Sequence, residues 1–326
     1  MLVLAWMCGV CRGDACATLN AASSGDHSVP EAGCTLNDVI SMSGDMSVSG
    51  GTNSEQRYEL RAASGKRHFK KTSYSQMRLT LRFLTLSGGN APDDGYGGGS
   101  VYVSYGTNLV VFSCNFTQNR AVRSGGAIHL MYSSHASIAD SIFYKNSITG
   151  SPRNGYGGGA IFIDYTGAEV VTNITTTKFV ENDAKEGNGG AILVRQGRVL
   201  MSGGDNVFES NSALTGNSFY LNKQTTAGTS SVEFSSCRPG TYVNSTGHGP
   251  GIYKSTGSSA SFMNNGFIGC PSFCPPGKTN TGRDEKGTAC KYCPKGQFAN
   301  ESGSESCKNC MTCTPGQFMV SECTLT

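Results

Sequence analysis

The sequence has no long hydrophobic run and no long helical pattern. No stretch of about eighteen apolar residues occurs in the 326-residue chain, so no segment predicts a transmembrane helix. Leucine heptads and long amphipathic patterns are also missing, and the hydrophobic fraction is only 37%. Instead, short runs of Val, Ile, Phe and Tyr alternate with Gly, Asn and Ser, and the 44 glycines are about twice the usual share of ~7%. These features predict many short strands and an all-β fold.

Common enzyme motifs and a strong charge imbalance are absent too. The chain contains no G-x-S-x-G, no H-E-x-x-H and no phosphate-binding loop. Its net charge is only +3, so nothing suggests a nucleic-acid partner. Enzymes that act on acidic polysaccharides gather carboxylates on one face. Here the acidic residues occupy different positions of the repeat described below: Asp140, Asp164, Asp183 and Asp205. We therefore expect no catalytic residue, no cofactor and no metal site.

A glycine pair followed by a short apolar run recurs along the chain. It occurs as GGGSVYV (97–103), SGGAIHL (124–130), GGGAIFI (157–163) and GGAILV (189–194), with a degenerate copy at residues 216–218. Aligned on Gly98, Gly125, Gly158, Gly189 and Gly216, the copies are 27, 33, 31 and 27 residues apart. A unit of this size without a helix cannot bury its apolar face alone, so the units must stack. The sequence therefore predicts a solenoid of parallel strands, with glycine at a tight corner of each coil.

Two positions of the repeat lie two residues apart, as the inward-facing residues of a half-buried strand do. They are apolar in every copy: Val101, Ile128, Ile161, Ile192 and Phe219, then Val103, Leu130, Ile163, Val194 and Leu221. We expect these ten side chains to face inward. Each unit also carries an F-x-x-N motif, and its asparagines are Asn119, Asn146, Asn182 and Asn211. An Asn at a repeated bend can bond the backbone of its turn and stack on the next Asn, so we predict a structural ladder without a catalytic role.

The position between the two inward columns is the candidate binding face. It holds Tyr102, His129, Phe162, Leu193 and Tyr220. An exposed stripe of this kind could stack on sugar rings or on a partner protein. The alternative is a ladder covered by a loop. A basic cluster between Arg57 and Lys71 is a second, weaker candidate for binding anions.

The N-terminus predicts secretion. Residues 1–17 contain an apolar run of about nine residues followed by Ala15-Cys16-Ala17, a small-residue cleavage pattern. A truncated or mis-started chain is the alternative, because no Lys or Arg precedes the apolar run. Four sequons provide candidate glycosylation sites, at Asn115, Asn173, Asn244 and Asn300. We place the solenoid at residues 18–235, with regular coils over 97–222.

Cysteine is concentrated in residues 236–326, the predicted C-terminal module. Its nine cysteines are the disulfide candidates Cys237, Cys270, Cys274, Cys290, Cys293, Cys307, Cys310, Cys313 and Cys323. The spacing of Cys290, Cys293, Cys307 and Cys310 also fits a zinc site. Disulfides are favoured because the pattern continues beyond these four and the chain has features of a secreted protein. The count of 11 cysteines after Ala17 is odd, which suggests an intermolecular partner or a chain that stops inside a module.

Two family resemblances follow from these motifs. The GGA(I/L/V) and F-x-x-N repeats resemble those of the chlamydial polymorphic outer membrane proteins and of right-handed, pectin-lyase-like parallel β-helix proteins. The C-x-x-G-x-(Y/F) knuckles with C-x-x-C pairs resemble ephrin-receptor-like and tumour-necrosis-receptor-like cysteine-rich modules. The resemblances imply a secreted or cell-surface location, in the cell envelope or outer membrane if the bacterial context holds.

From the residues and the resemblances together we predict a right-handed parallel β-helix joined to a disulfide-rich module. Its expected function is non-catalytic adhesion or recognition of a cell-surface glycan or protein ligand. The alternatives are a pectin-lyase-like carbohydrate-active enzyme and the ectodomain of a larger membrane receptor.

Overall fold

The structure is a computed structural model, and it confirms the all-β class and the parallel β-solenoid, which has about 6 turns. It describes residues 15–53, 55–150, 157–164, 171–202, 206–222, 230–234, 241–242, 251–254, 260–262, 272–274, 276, 278–279, 290–302, 304 and 306–310. Within this part of the chain, the one helix is Ala15–Asn20.

Each regular coil contains four strands, and each strand belongs to a different sheet, which we call sheets 1 to 4. After the glycine corner at Gly98, the coil passes through Val101–Val103 in sheet 1 and Asn108–Phe112 in sheet 2. It continues through Asn115–Thr117 in sheet 3 and Arg120–Ala121 in sheet 4. Equivalent strands of successive coils pair in parallel, so each sheet runs along the solenoid.

The four sheets have the following strands. Sheet 1 contains Ile40–Ser41, Phe69–Lys71, Val101–Val103, Ile128–Met131, Ile161–Asp164, Ile192–Val194, Phe219–Leu221 and Ala260–Phe262. Sheet 2 contains Gly25–Ser28, Met46–Ser49, Arg78–Arg82, Asn108–Phe112, His135–Ala139, Val171–Thr175, Gly197–Ser202, Ser230–Phe234 and Gly251–Lys254. Sheet 3 contains Cys34–Thr35, Tyr58–Arg61, Leu84–Ser87, Asn115–Thr117, Ile142–Tyr144, Lys178–Val180 and Val207–Glu209. Sheet 4 contains Asn90–Ala91, Arg120–Ala121, Ser147–Ile148, Asp183–Asn188 and Ser212–Thr215.

The register of sheet 1 is the one expected from the glycine alignment. Ile128 pairs with Val101 on one side and with Ile161 on the other, and Ile161 pairs with Ile192. All ten side chains predicted to face inward are fully buried. Because parallel strands lie about 4.8 Å apart, one side chain per coil builds a continuous apolar column. These columns form one core together with the inward side chains of sheets 2 and 3.

The glycine corner is required by both backbone conformation and space. Gly125 has a φ of 62°, in the left-handed region that glycine adopts without strain. A Cβ on the following Gly126 would lie only 2.1 Å from the carbonyl oxygen of Gly159 in the next coil. The pair therefore allows consecutive coils to approach each other at the corner before sheet 1.

The F-x-x-N motifs form two stacks inside the solenoid. The phenylalanine rings of Phe116, Phe143, Phe179 and Phe208 stack at centroid distances of 4.8, 4.9 and 4.7 Å. The asparagines form the ladder expected at this bend. The Nδ2 of Asn146 donates to Asn182 Oδ1 at 3.0 Å and to the Phe116 carbonyl at 2.9 Å. Asn119 and Asn182 make equivalent bonds, and Asn211 donates to the Phe179 carbonyl.

The N-terminal helix is fixed to the first coils. Leu19 on this helix is fully buried in the core, and Cys16 forms a disulfide with Cys34. The proposed cleavage after residue 17 would remove the sulfur that pairs with Cys34, and the signal peptide stays a prediction. Cys114 is buried and free, so the nine cysteines of residues 236–326 are still an odd number, and the intermolecular partner stays a prediction.

The C-terminal region contains antiparallel pairs. Gly251–Lys254 pairs with Ser230–Phe234 and Ala260–Phe262 pairs with Phe219–Leu221, which adds an antiparallel strand to sheets 2 and 1. Three further two-stranded pairs follow: Thr241–Tyr242 with Ser272–Phe273, Lys278–Thr279 with Lys291–Tyr292, and Gln297–Phe298 with Lys308–Asn309.

The described cysteines of this region form disulfides. Cys274 bonds to Cys290 and Cys293 bonds to Cys307, and Cys310 is also disulfide-bonded. The zinc alternative is therefore wrong, because its four proposed ligands are all oxidised. The remaining candidates lie outside the described residues: Cys237, Cys270, Cys313 and Cys323.

Candidate recognition surface

The stripe predicted as an exposed binding face is covered. Tyr102, His129, Phe162 and Leu193 are each at most 5% exposed, and Tyr220 is half-buried. The alternation of sheet 1 is as expected, since these side chains point away from the solenoid core. The prediction of an open outer face is wrong, and the covered ladder weighed as its alternative is present.

The covering comes from the segments that lead into the glycine corners. The Tyr96 ring lies 4.7 Å from the Tyr102 ring, and Gly97 N–H donates to Nδ1 of His129 at 3.1 Å. A Cβ at Gly157 would lie 2.5 Å from Leu193 Cδ1, so that backbone also rests on the stripe. These contacts exclude water from the outer face of sheet 1.

Burial also determines the electrostatics of this covered layer. Desolvation lowers the pKa of His129 to about 3, with the nearby Arg67 and Arg195 as further causes. Because Nδ1 accepts from Gly97, the proton of the neutral ring is on Nε2, which has no partner within the described structure. His129 is therefore a neutral packing residue at physiological pH.

The basic cluster between Arg57 and Lys71 is largely neutralised. Arg67 is buried and forms a bidentate pair with Asp94 at 2.8 and 3.0 Å, and Lys70 contacts the same carboxylate. Burial by itself would raise the pKa of Asp94, but the two cations outweigh this effect and lower the pKa to about 2. Lys66 and Arg61 pair with other carboxylates. Arg67 and Lys70 therefore hold the covering loop in place, whereas Arg57 has no carboxylate partner among the described residues.

Sheet 2 has the open face of the solenoid. The outward side chains of its central strands are exposed or half-buried, and they include Arg78, Arg82, His135, Ser137, Asn173 and Arg198. The sequon Asn173 lies on this face and is exposed, and Asn300 is exposed in the C-terminal region. The sequon Asn115 is half-buried on sheet 3, and Asn244 lies outside the described residues. Glycosylation at all four remains a prediction.

A row of tyrosines forms the edge of this open face, at the corner between sheets 1 and 2. We call Tyr74, Tyr105 and Tyr132 the tyrosine corner. The Tyr105 ring lies 4.3 Å from the Tyr74 ring and 4.7 Å from the Tyr132 ring, with which it is nearly parallel. Tyr74 is 83% exposed and Tyr132 is 38% exposed. Exposed aromatic groups of this size, held in one row, are typical of a recognition surface.

The backbone beneath the tyrosine corner is fixed by buried polar contacts. The Nζ of Lys71 donates to the carbonyls of Ser104 and Tyr105 at 2.7 and 2.8 Å, and burial lowers the pKa of Lys71. Gly106 N–H donates to the Tyr132 carbonyl in the next coil. A hydrogen bond with Tyr74 raises the pKa of Tyr105. These contacts fix the backbone beside Tyr105 and Tyr132 before any ligand binds.

A sequence signal for the tyrosine corner existed. Tyr105 and Tyr132 each follow the second inward column by two residues, and Tyr165 occupies the equivalent place in the next unit, outside the described residues. This recurrence at one place in the repeat is the signal that could have identified the corner from the sequence.

Residues considered for catalysis do not converge in the structure. Asp140 lies at the corner between sheets 2 and 3, Asp164 is buried in sheet 1, and Asp183 begins a strand of sheet 4. Asp205 lies outside the described residues. Across the ranges that the structure describes, no group of three His, Cys, Asp or Glu side chains could hold a metal ion. The same residues include no helix long and apolar enough to cross a membrane.

Comparison with known proteins gives two partial matches. The family model of the Chlamydia polymorphic membrane protein repeat matches residues 113–130, and that of the TNFR/NGFR cysteine-rich region matches residues 293–326. No curated protein and no solved structure matches the chain. The resemblance to both families is thus confirmed, each over part of the chain, and it suggests a surface or extracellular protein.

Proposed function

We propose that this chain is a non-catalytic recognition protein of the cell surface or extracellular space. Its binding surface is the tyrosine corner together with the adjoining open face of sheet 2. Its partner is a cell-surface glycan or a protein ligand. The matches to a chlamydial surface repeat and to a receptor-type cysteine-rich region support this class of function.

The observation that carries the proposal is the exposed, preorganised tyrosine row. Tyr74 and Tyr132 expose large aromatic surfaces, and the Tyr105 ring contacts both of them. A ligand that binds there orders few side chains, so little of the contact energy is lost as conformational entropy. The phenol hydroxyl of each tyrosine adds a group that can form a hydrogen bond with the ligand.

The test compares binding of the full chain and of a tyrosine-corner variant to a panel of cell surfaces and to a glycan array. Tyr105→Asn and Tyr132→Asn suit the left-handed backbone at these positions, with φ of 53° and 47°, and Tyr74→Ser completes the triple variant. We expect at least a tenfold loss of binding with unchanged circular dichroism. Tyr144→Ser, on sheet 3, is the matched control and should bind normally.

Three results would contradict the proposal. Unchanged binding by the folded triple variant would exclude the tyrosine corner. Absence of binding by the unmodified chain to every surface and glycan would exclude the recognition function. Product release from polygalacturonate or alginate would favour the pectin-lyase-like alternative.

A further inference from the structure

A small cavity lies at the opposite edge of the open face, at the corner between sheets 2 and 3. Its volume is about 380 Å³, which is enough for a sugar ring. It is lined by Asn53, Arg57, Phe83, Phe112, Ser113 and Asp140, among others. We call it the corner pocket. None of these residues belongs to the tyrosine corner.

The corner pocket exists because one coil has a long connection there. Residues 50–57 join Met46–Ser49 to Tyr58–Arg61, whereas the next coils turn the same corner with one or two residues. The loop is fixed at its base, because Gly51 N–H and Tyr58 N–H both donate to the Phe83 carbonyl at 3.2 Å. Asn53 Oδ1 accepts the N–H groups of Glu55 and Gln56, which orders the turn. The pocket wall is therefore built into the fold.

Unpaired charges of opposite sign line the corner pocket. Arg57 Nε donates to the Ser113 carbonyl at 2.8 Å, which orients the guanidinium, and its terminal nitrogens have no partner among the described residues. The Asp140 carboxylate also has no ion-pair or hydrogen-bond partner in that part of the chain, although its backbone N–H donates to Thr175 O. Two charged groups that face one cavity without pairing are available to a ligand.

The apolar part of the lining consists of two half-buried aromatic rings. Phe83 and Phe112 pack edge to face, with centroids 5.6 Å apart at 85°. The pocket thus combines an aromatic floor with donors from Arg57 and from the Asn53 amide nitrogen, and with an acceptor at Asp140. This is the complement of a pyranose ring, whose C–H face is apolar and whose hydroxyl groups both donate and accept.

We infer that the corner pocket binds one neutral pyranose residue of a glycan. The ring packs on Phe83 and Phe112, and its hydroxyl groups bond to Arg57 and Asp140. The site has no net charge, so it favours a neutral sugar over a uronic acid or a phosphate. This inference rests on the proposed function, because it names the ligand class, but it uses a separate surface.

The experiment measures binding of neutral methyl glycopyranosides and their disaccharides to the full chain by saturation-transfer NMR and calorimetry. Asp140→Gly removes the carboxylate at a φ of 50° without backbone strain, and Lys145→Gly makes the same change at a φ of 53° on another corner. Phe112→Thr removes the ring from the strand, and Val110→Thr is its control two residues earlier. We expect at least a tenfold loss of affinity in the two pocket variants and less than a twofold change in the controls.

The outcomes separate this inference from the proposed function. Sugar binding that is lost in the tyrosine-corner variant and retained in both pocket variants would overturn the corner pocket and support the tyrosine corner. Binding of free amino acids but of no sugar would overturn the ligand class. Binding to none of the glycosides, while the chain still binds cell surfaces through the tyrosine corner, would overturn the inference alone.

Discussion

Two buried histidines should make the solenoid lose stability as the pH falls through the mildly acidic range. Burial lowers the pKa of His68 to about 4 and that of His129 to about 3, from an ordinary value of 6.5. His68 Nε2 donates to the Leu60 carbonyl, and its Nδ1 accepts from the Ser100 hydroxyl. His129 Nδ1 accepts from Gly97. Protonation would charge both buried rings, and at His129 it would also break the hydrogen bond from Gly97, because an amide N–H cannot accept.

The direction of this pH effect and the pH range in which it acts follow from the linkage between proton binding and folding. The folded-state pKa values lie below the unfolded value, so below pH 6.5 the unfolded chain binds protons that the folded chain does not. Each histidine then reduces the free energy of unfolding by about 1.4 kcal/mol per pH unit. The two together remove about 5 kcal/mol between about pH 6.5 and 4.5, comparable with the whole stability of many domains.

Carboxylates act at lower pH and do not obscure this window. The pKa of Asp94 is lowered to about 2, mainly through Arg67 against desolvation, and that of Glu59 is lowered by its bond to Ser87. Their contributions are complete about one pH unit above their ordinary pKa values of 3.8 and 4.5 and are lost progressively below that. The slope between pH 6.5 and 5.5 therefore reports the histidines.

The assay is urea denaturation at half-unit steps between pH 7.5 and 4.5. His129→Leu should reduce the slope by about half, and the structure accommodates the change, because Leu193 occupies the equivalent position two coils later. The exposed His135→Gln should leave the slope unchanged. A free energy of unfolding that stays constant down to pH 5, or the same slope in His129→Leu, would refute the reasoning.

Two further predictions concern the ladder and the disulfides. Asn146→Ala removes the buried hydrogen-bond partners of Asn119 and of the Phe116 carbonyl. It should lower the free energy of unfolding, measured by urea denaturation, by about 3 kcal/mol or more. The control Asn108→Ala, at a half-buried position, should lower it by less than about 1 kcal/mol. Reduction should unfold the region of Cys274–Cys290 and Cys293–Cys307 while a chelator has no effect; protease resistance of that region after reduction would contradict the disulfide account.

The core could be predicted from the sequence because stacked repeats bring residues at equivalent positions of successive repeats into contact. Once Gly98 and Gly125 are aligned, Val101 must lie beside Ile128, and period-two alternation then determines which side chains face inward. Asn146 and Phe143 follow from the same alignment, since only a structural stack requires one Asn and one Phe at the same place in each coil. These predictions needed no knowledge of the loops.

The covering of sheet 1 could not be predicted in this way. The units differ in length, with 27 to 33 residues between glycine pairs, and the extra residues have no common pattern. The segment that contains Tyr96 folds back over Tyr102 because Arg67 and Lys70 pair with Asp94, a contact between residues about 25 positions apart that spacing does not reveal. An alternating strand shows which side chains point outward, but not whether another segment covers them.

The corners between sheets offer a more reliable place for recognition than the faces. At the corners of the tyrosine row and the corner pocket, Tyr105, Tyr132 and Asp140 have positive φ. The Tyr132 carbonyl accepts from Gly106 of the preceding coil, and Asp140 N–H donates to Thr175 of the next coil. The turns that carry Tyr105, Tyr132 and Asp140 have four, three and two residues, too few to fold back over the neighbouring coils, so these side chains stay at the surface. Left-handed backbone costs about 1–2 kcal/mol per non-glycine residue. The same conformation recurs at other corners, for example at Ser113, Lys145 and Glu181, so the strain belongs to the stacking of the coils, and what distinguishes the two proposed sites is the chemistry of their side chains.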